Sequence, residues 1–151
     1  MSASRGVAAL LAAIVAAAVA WALWPSWERR VLRRADALAA AVERCDAPAV
    51  LDLLAENFEL SAKGFPFSKV RRADVEQRIQ ELAAEMKELR IRKLKSEFLA
   101  QGPSVEAVWL ATAETRYGPS SAKFRVRLDF EQREDSSPDG PRIVSAIVTR
   151  P

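Results

Sequence analysis

Few side chains in this 151-residue sequence can do chemistry, and the absent types constrain it as much as those present. There is no His, one Cys and one Tyr. Without imidazole there is no His-based acid–base catalysis and no His metal ligand. A single Cys excludes an intramolecular disulfide and a thiolate zinc cluster. No acidic cluster has metal-ligand spacing and no Gly-rich phosphate loop occurs, so neither a metal nor a cofactor is expected. What remains is a carboxylic acid set against a hydroxyl donor: Glu97 or Glu114 as the acid and Tyr117 as the donor. Such a pair works when apolar walls raise the carboxyl pKa and the donor faces a developing oxyanion. Charges on the wet side of a strand and an edge aromatic explain the same three residues more simply. Trp109, set in a run of Ala, is a pocket-lining residue or plain core. Asp129 and Glu131 alternate away from the apolar series Phe124 to Phe130 and are expected in solvent. Cys45 falls on an apolar helix stripe, which predicts an inert packed thiol.

These residues have to be placed by the elements around them. Residues 28–45 read as a helix, with Val31, Ala35, Leu38, Val42 and Cys45 recurring at three- and four-residue steps. Asp46 caps a second, short helix with Pro48 in its first turn and Leu53 and Leu54 at its end. Phe58 and Leu60 lead into an irregular stretch in which Gly64 and Pro66 mark a loop. Asp74, with Gln77 three positions on, predicts a capped third helix whose buried stripe is Val75, Ile79, Leu82 and Met86. The period then changes. A bulged strand over Ile91–Leu99, a turn at 101–104, a long strand over 105–117 and a turn at 118–120 are expected. Phe124, Val126, Leu128 and Phe130 alternate with Lys123, Arg125, Arg127 and Asp129, the mark of a half-buried antiparallel strand. A polar loop over 135–141 precedes a last strand from Ile143 to Val148.

The hydrophobic half of the sequence is unevenly spread, because the first 24 residues contain 20 hydrophobic ones. Gly6 to Trp24 is free of charge and, as a helix, would span about 28 Å, close to a bilayer's hydrocarbon core. Trp21, Trp24 and Trp27 cluster at its end, where indole favours the headgroup interface. A cleaved signal peptide is the competing reading, with Arg5 as a minimal charged start and Ala-rich sites near Ala18–Ala22. The apolar run continues past those sites and bulky Trp residues crowd them, which favours a retained single-pass anchor over residues 1–24 and a folded body over 25–151. Orientation stays open between the two sides. Arg29, Arg30, Arg33 and Arg34 favour a cytoplasmic body, and the short basic start before the apolar run favours export.

The 23 Lys and Arg exceed the 20 Asp and Glu only slightly, but basic residues are dense from Lys63 to Lys95, ten against five acidic ones. Lys69, Arg71 and Arg72 form one knot, and Arg90, Arg92, Lys93 and Lys95 another. No stacking aromatics are interleaved with them, so a solvated face or lipid contact is expected in preference to nucleic acid.

Three helices followed by about four strands predict an α+β domain, the helices packed on one face of a curved antiparallel sheet. This order resembles the nuclear transport factor 2-like superfamily, also called SnoaL-like or cystatin-like. The likeness lies in Leu38, Ala39 and Val42 on the first helix, in Leu53 and Leu54 running into Asn57-Phe58, and in the capped third helix before a long meander. It covers about residues 28–150. Pro25-Ser26-Trp27-Glu28-Arg29 after an apolar segment is similar to exported bacterial members, which implies an extracytoplasmic body. The family often ends its last hairpin with Asp-Gly-x-Trp-x-Ile; here Asp139-Gly140-Pro141-Arg142-Ile143 has no Trp. The resemblance implies a cone-shaped cavity, and a dimer or partner contact through the outer sheet face at Val108, Leu110 and Val126. The expected function is a membrane-anchored, non-catalytic binding module. The alternative is an isomerase or hydrolase using Glu97 or Glu114 with Tyr117.

Overall fold

The computed structural model describes residues 2–23, 27–63, 69–99, 102–132 and 140–150. Helix α1, Ser2–Leu23, is 22 residues long and so spans about 33 Å. Its apolar stretch has a mean hydropathy of 2.4 and is not buried by the other described residues. The helices of the body are α2 (Trp27–Glu43), α3 (Ala47–Leu53) and α4 (Arg72–Glu85). Its strands are β1 (Leu54–Lys63), β2 (Lys69–Arg71), β3 (Met86–Leu99), β4 (Ser104–Thr115), β5 (Gly118–Phe130) and β6 (Ile143–Thr149).

The strands form one six-stranded sheet in the order β2-β1-β6-β5-β4-β3. The expected four-stranded meander is β3 to β6, and the expected α+β class with three body helices is present. The sheet is wider than expected, and it is mixed. The segment from Phe58 to Leu60 is no lead-in to a loop but the middle of β1, which pairs in parallel with β6 and antiparallel with β2. A register shift between Leu54 and Glu59 breaks the alternation of β1, which is why no clean period of two marks it.

Each helix is placed by a few residues. On α2, Val31, Ala35, Leu38, Ala39 and Ala41 are buried, and the small Ala side chains let the helix approach the sheet closely. Two contacts tie α2 to the edge strand β3: Asp36 pairs with Lys93 at 3.2 Å, and the Ile91 amide donates to Glu43 Oε2 at 2.8 Å. The second contact satisfies an amide at the sheet edge, where backbone groups otherwise have no strand partner. Cys45 follows α2 instead of lying on its stripe. It is partly exposed with φ 51°, a left-handed conformation that reverses the chain. Asp46 caps α3 as expected, its Oδ1 accepting from the Ala49 amide at 3.2 Å.

The α4 cap is a correction. The helix begins at Arg72 with no side-chain cap, and Asp74 stands in its first turn, where its charge favours the helix dipole. Gln77 donates to Glu81 Oε1 at 3.4 Å and takes no part in a capping box. Val75 and Ile79 are buried as expected; Met86 begins β3. The expected loop at Gly64 and Pro66, the turn residue Gln101, most of the 135–141 loop and the entry at Pro25-Ser26 lie outside the described residues.

Candidate functional site

On β4 the inward residues are Val105, Ala107, Trp109, Ala111 and Ala113, and on β5 they are Phe124, Val126, Leu128 and Phe130. Together with α2 and α4 these strands enclose an apolar cavity of about 250 Å³. Val42 of α2 and Leu82 of α4 line it from the helix side. Met86, Leu89 and Ile91 line it from β3, Trp109 and Ala111 from β4, Phe124 and Val126 from β5, and Leu60, Ala62 and Val148 from β1 and β6. All twelve of these side chains are apolar. The partly exposed Leu82, Met86, Leu89 and Ile91 mark the side on which the cavity opens, while Trp109 and Val126 are buried at its depth.

A second hollow of about 250 Å³ continues from the first behind Trp109, sharing Val42, Leu60, Trp109, Val126 and Val148 with it. Its one charged lining residue is Arg78, whose guanidinium pairs with Glu81 at 3.2 Å on the surface of α4. Trp109, the largest of these shared side chains, stands at the boundary of two apolar lobes. The small Ala62 and Ala111 leave the outer lobe open, where larger side chains would fill it.

Of the four residues singled out in the sequence, the structure brings only Trp109 to this cavity. Glu97 lies on the opposite face of the sheet, exposed, with its carboxylate 3.8 Å from Lys95 Nζ. Glu114 is exposed on that same outer face of β4, and Tyr117 is 88% exposed in the β4–β5 turn. The acid–donor set proposed from Glu97, Glu114 and Tyr117 is thus not assembled. The other lining residues escaped notice because they come from seven elements, and no local spacing joins them. The only local signal was the small–large alternation of Ala107, Trp109 and Ala111.

The outer face of the sheet is of opposite character. Along β3 it presents Lys87, Arg90, Arg92, Lys95 and Glu97, all exposed. Along β5 it presents Lys123, Arg125, Arg127 and Asp129, and between them β4 offers Glu106, Val108, Leu110, Thr112 and Glu114. Val108 and Leu110 are half-buried there as expected, whereas Val126, placed with them from the sequence, points into the cavity and is 3% exposed.

At one end of this face Asp129 joins three strands. Ser104 of β4 donates to its Oδ1 at 2.6 Å and Ser145 of β6 to its Oδ2 at 2.8 Å. Partial burial pushes the carboxyl pKa up, but the two hydroxyl donors and the nearby Arg127 outweigh it and hold the group below its ordinary value. The expectation of a freely solvated Asp129 is corrected accordingly. Glu131 is corrected too: its side chain is only 10% exposed and lies 3.0 Å from Arg142. Among the described residues no group of Asp, Glu and Cys could hold a metal ion.

No family model matches the chain, and no curated protein matches it in sequence. Solved structures do match. A pinacolase from Penicillium brevicompactum superposes with a TM-score of 0.72 at 13% identity, over 82% of this chain and 87% of that one. A putative aromatic ring hydroxylase from Novosphingobium aromaticivorans gives 0.70 at 16% identity, over 82% and 87%. A nuclear transport factor 2-like superfamily protein from Salmonella enterica gives 0.68 at 11% identity, over 83% and 91%. At such identities the likeness shows the fold alone: three helices on a mixed, six-stranded, nuclear transport factor 2-like sheet.

Proposed function

We propose that the protein is a membrane-anchored module that binds a small apolar molecule in the cone between helices and sheet without transforming it. One observation carries this reading: the twelve residues around the outer cavity are all apolar, so the site rewards hydrocarbon and offers no polar partner to a charged or hydroxylated ligand. A cavity of about 150 Å³ already suffices for benzene. At about 250 Å³, this one suits a ligand the size of a single substituted ring or a short acyl segment. The named activities of the structural neighbours belong to those proteins. An isomerase or hydrolase reading requires an acid within the cone, and Glu97 and Glu114 stand outside it.

The anchor reading rests on α1, which is apolar, exposed and long enough to cross a bilayer. It makes the membrane's own apolar contents the nearest source of ligand, with the body extracytoplasmic. A second copy or a partner protein at the sheet face is the less favoured contact, for the electrostatic reason developed below.

The test fills the cavity without unfolding the protein. Ala111→Leu projects three more carbons into the outer lobe. The full chain in lipid nanodiscs is titrated with a naphthalene-type fluorescent probe, whose emission rises on transfer to an apolar site. Saturable binding is expected for the unaltered chain and at least a tenfold loss for Ala111→Leu, with the melting temperature unchanged or raised. Equal titrations for both proteins would refute the cavity as the site.

A further inference from the structure

We propose that the outer face of β3–β5 docks on the anionic headgroup surface of the membrane that holds α1. The face presents seven Lys and Arg against five carboxylates, Glu88 at the β3 bulge among them, and its cations are exposed. Register sets their arrangement. Lys95 and Arg125 flank Val108, while Arg92 and Lys123 flank Leu110. Two half-buried aliphatic side chains are thereby bracketed on both sides by cations, a pattern that suits phosphate groups above and the first acyl carbons below.

Charge pairing is uneven across the face. Glu106 takes Arg125 at 3.8 Å and Asp129 takes Arg127 at 3.5 Å. Arg92 and Lys123 have no ion-pair partner among the described residues, whereas Lys87 faces Glu114 across the strands and Arg90 lines a hollow with Glu88 and Glu114. On the helix side α4 is acidic, with Asp74, Glu76, Glu81 and Glu85 against Arg72 and Arg78, while α2 carries Arg29, Arg30, Arg33 and Arg34 against Glu28, Asp36 and Glu43. A plane of anionic charge would therefore attract the sheet face and repel α4.

A second copy is not the occupant favoured by these charges, because face-to-face pairing would set cations against cations. An acidic protein would meet the same charges, but α1 argues for lipid. As a retained membrane segment it keeps the sheet within reach of headgroups at high effective concentration. The docking thus rests on the anchor reading proposed above, and its test separates the two.

Full chain carrying Cys45→Ser receives one new thiol, Ser121→Cys on the outer face or Gln80→Cys on α4, for an environment-sensitive fluorophore. Each is reconstituted into vesicles of phosphatidylcholine alone or with about one third phosphatidylglycerol, plus a headgroup-nitroxide lipid as quencher. Quenching at 121 is expected to be about threefold stronger in the anionic vesicles and to fall to the neutral level in about 0.5 M salt. Quenching at 80 stays equal in both. The double reversal Arg92→Glu with Lys123→Glu removes the difference at 121. Equal quenching in the two vesicles, or a difference that survives the reversal, would overturn the proposal. So would shielding at 121 by a second copy in neutral vesicles, or shielding that develops only with added polyglutamate. Retention of the protein in vesicles after alkaline carbonate reports on α1 independently, so loss of the anchor and loss of the docking face are read on different measurements.

Discussion

The two faces of β5 share one backbone and one run of sequence, yet they are held by different physics. Inward, Val126, Leu128 and Phe130 are buried at 3%, 0% and 3% exposure. Outward, Arg125 and Arg127 are exposed one residue away from Val126 and Leu128, and Lys123 is exposed beside Phe124. Burying a Leu or Phe contributes roughly 1.5–3 kcal/mol, whereas an exposed charge pair contributes between nothing and about 1 kcal/mol. The inner face therefore determines whether the body folds, and the outer face is free to be shaped by what it meets. The cavity complicates that division, since it leaves part of the inner face short of packing.

The largest break in this contrast comes from Trp109, which lines both apolar lobes. Trp109→Ala would enlarge both and should cost about 3–5 kcal/mol, near the top of the large-to-small range, because the surrounding strands cannot collapse into the space. Leu128→Ala, at 0% exposure, should cost about 2–5 kcal/mol. Arg127→Ala, its neighbour on the other face, should stay within about 0.5 kcal/mol. Chemical denaturation of the three variants checks the order. A loss of several kcal/mol for Arg127→Ala would mean that the outer face is structural after all.

That inner–outer division was readable from the sequence on β4 and β5, where a strict period of two runs for a dozen residues. It was not readable on β1. There Leu53-Leu54-Ala55 continues the apolar run of α3, the chain enters the strand without a turn, and the shift between Leu54 and Glu59 breaks the alternation. The parallel pairing of β1 with β6 is set by contacts more than eighty residues apart, which no local pattern encodes. The site followed the same rule. Trp109 was visible as a large residue among small ones, but Val42, Leu82 and Val148 become neighbours only when helices close over the sheet. Glu97 was open to an inward position because the phase of β3 is lost at its bulges, at Lys87/Arg90 and Lys93/Lys95, whereas Glu114 simply follows the unbroken alternation of β4 onto the face of Val108 and Leu110.

Asp129 sharpens the contrast from the other side, as an outer-face residue with a structural role. Removing its carboxylate leaves the Ser104 and Ser145 hydroxyls without their acceptor. Asp129→Ala should cost about 1 kcal/mol, a low value because part of the carboxylate remains in water. Its acid dependence has a definite sign. The folded-state pKa is lowered, so the contribution is complete above the unfolded-state value of about 3.9 and is lost as pH falls through the folded-state value. Denaturation midpoints measured between pH 7 and pH 2 should therefore fall less steeply for Asp129→Asn than for the unaltered chain below about pH 4. Parallel acid limbs would assign the acid sensitivity elsewhere.

The smallest effect is the one that bears on what the outer face is for. Lys123 precedes Arg125 by one step on the same face, and Arg92 lies across β4 from it, all three exposed. Such crowding of like charge is mildly unfavourable in the free protein, and reversing one member converts repulsion into attraction. Lys123→Glu should raise the denaturation midpoint in low salt by a few tenths of a kcal/mol, and about 0.5 M salt should erase the gain. The same substitution weakens the interaction proposed with anionic lipid. A face optimised only for solubility or for the fold has no reason to keep a cation that costs stability at that position. Stabilisation by Lys123→Glu together with weaker contact on anionic vesicles would show that the cations on β3 and β5 are held there against the interest of the fold. No gain in stability would instead make them an ordinary solvated surface, as indifferent to the core as Arg127.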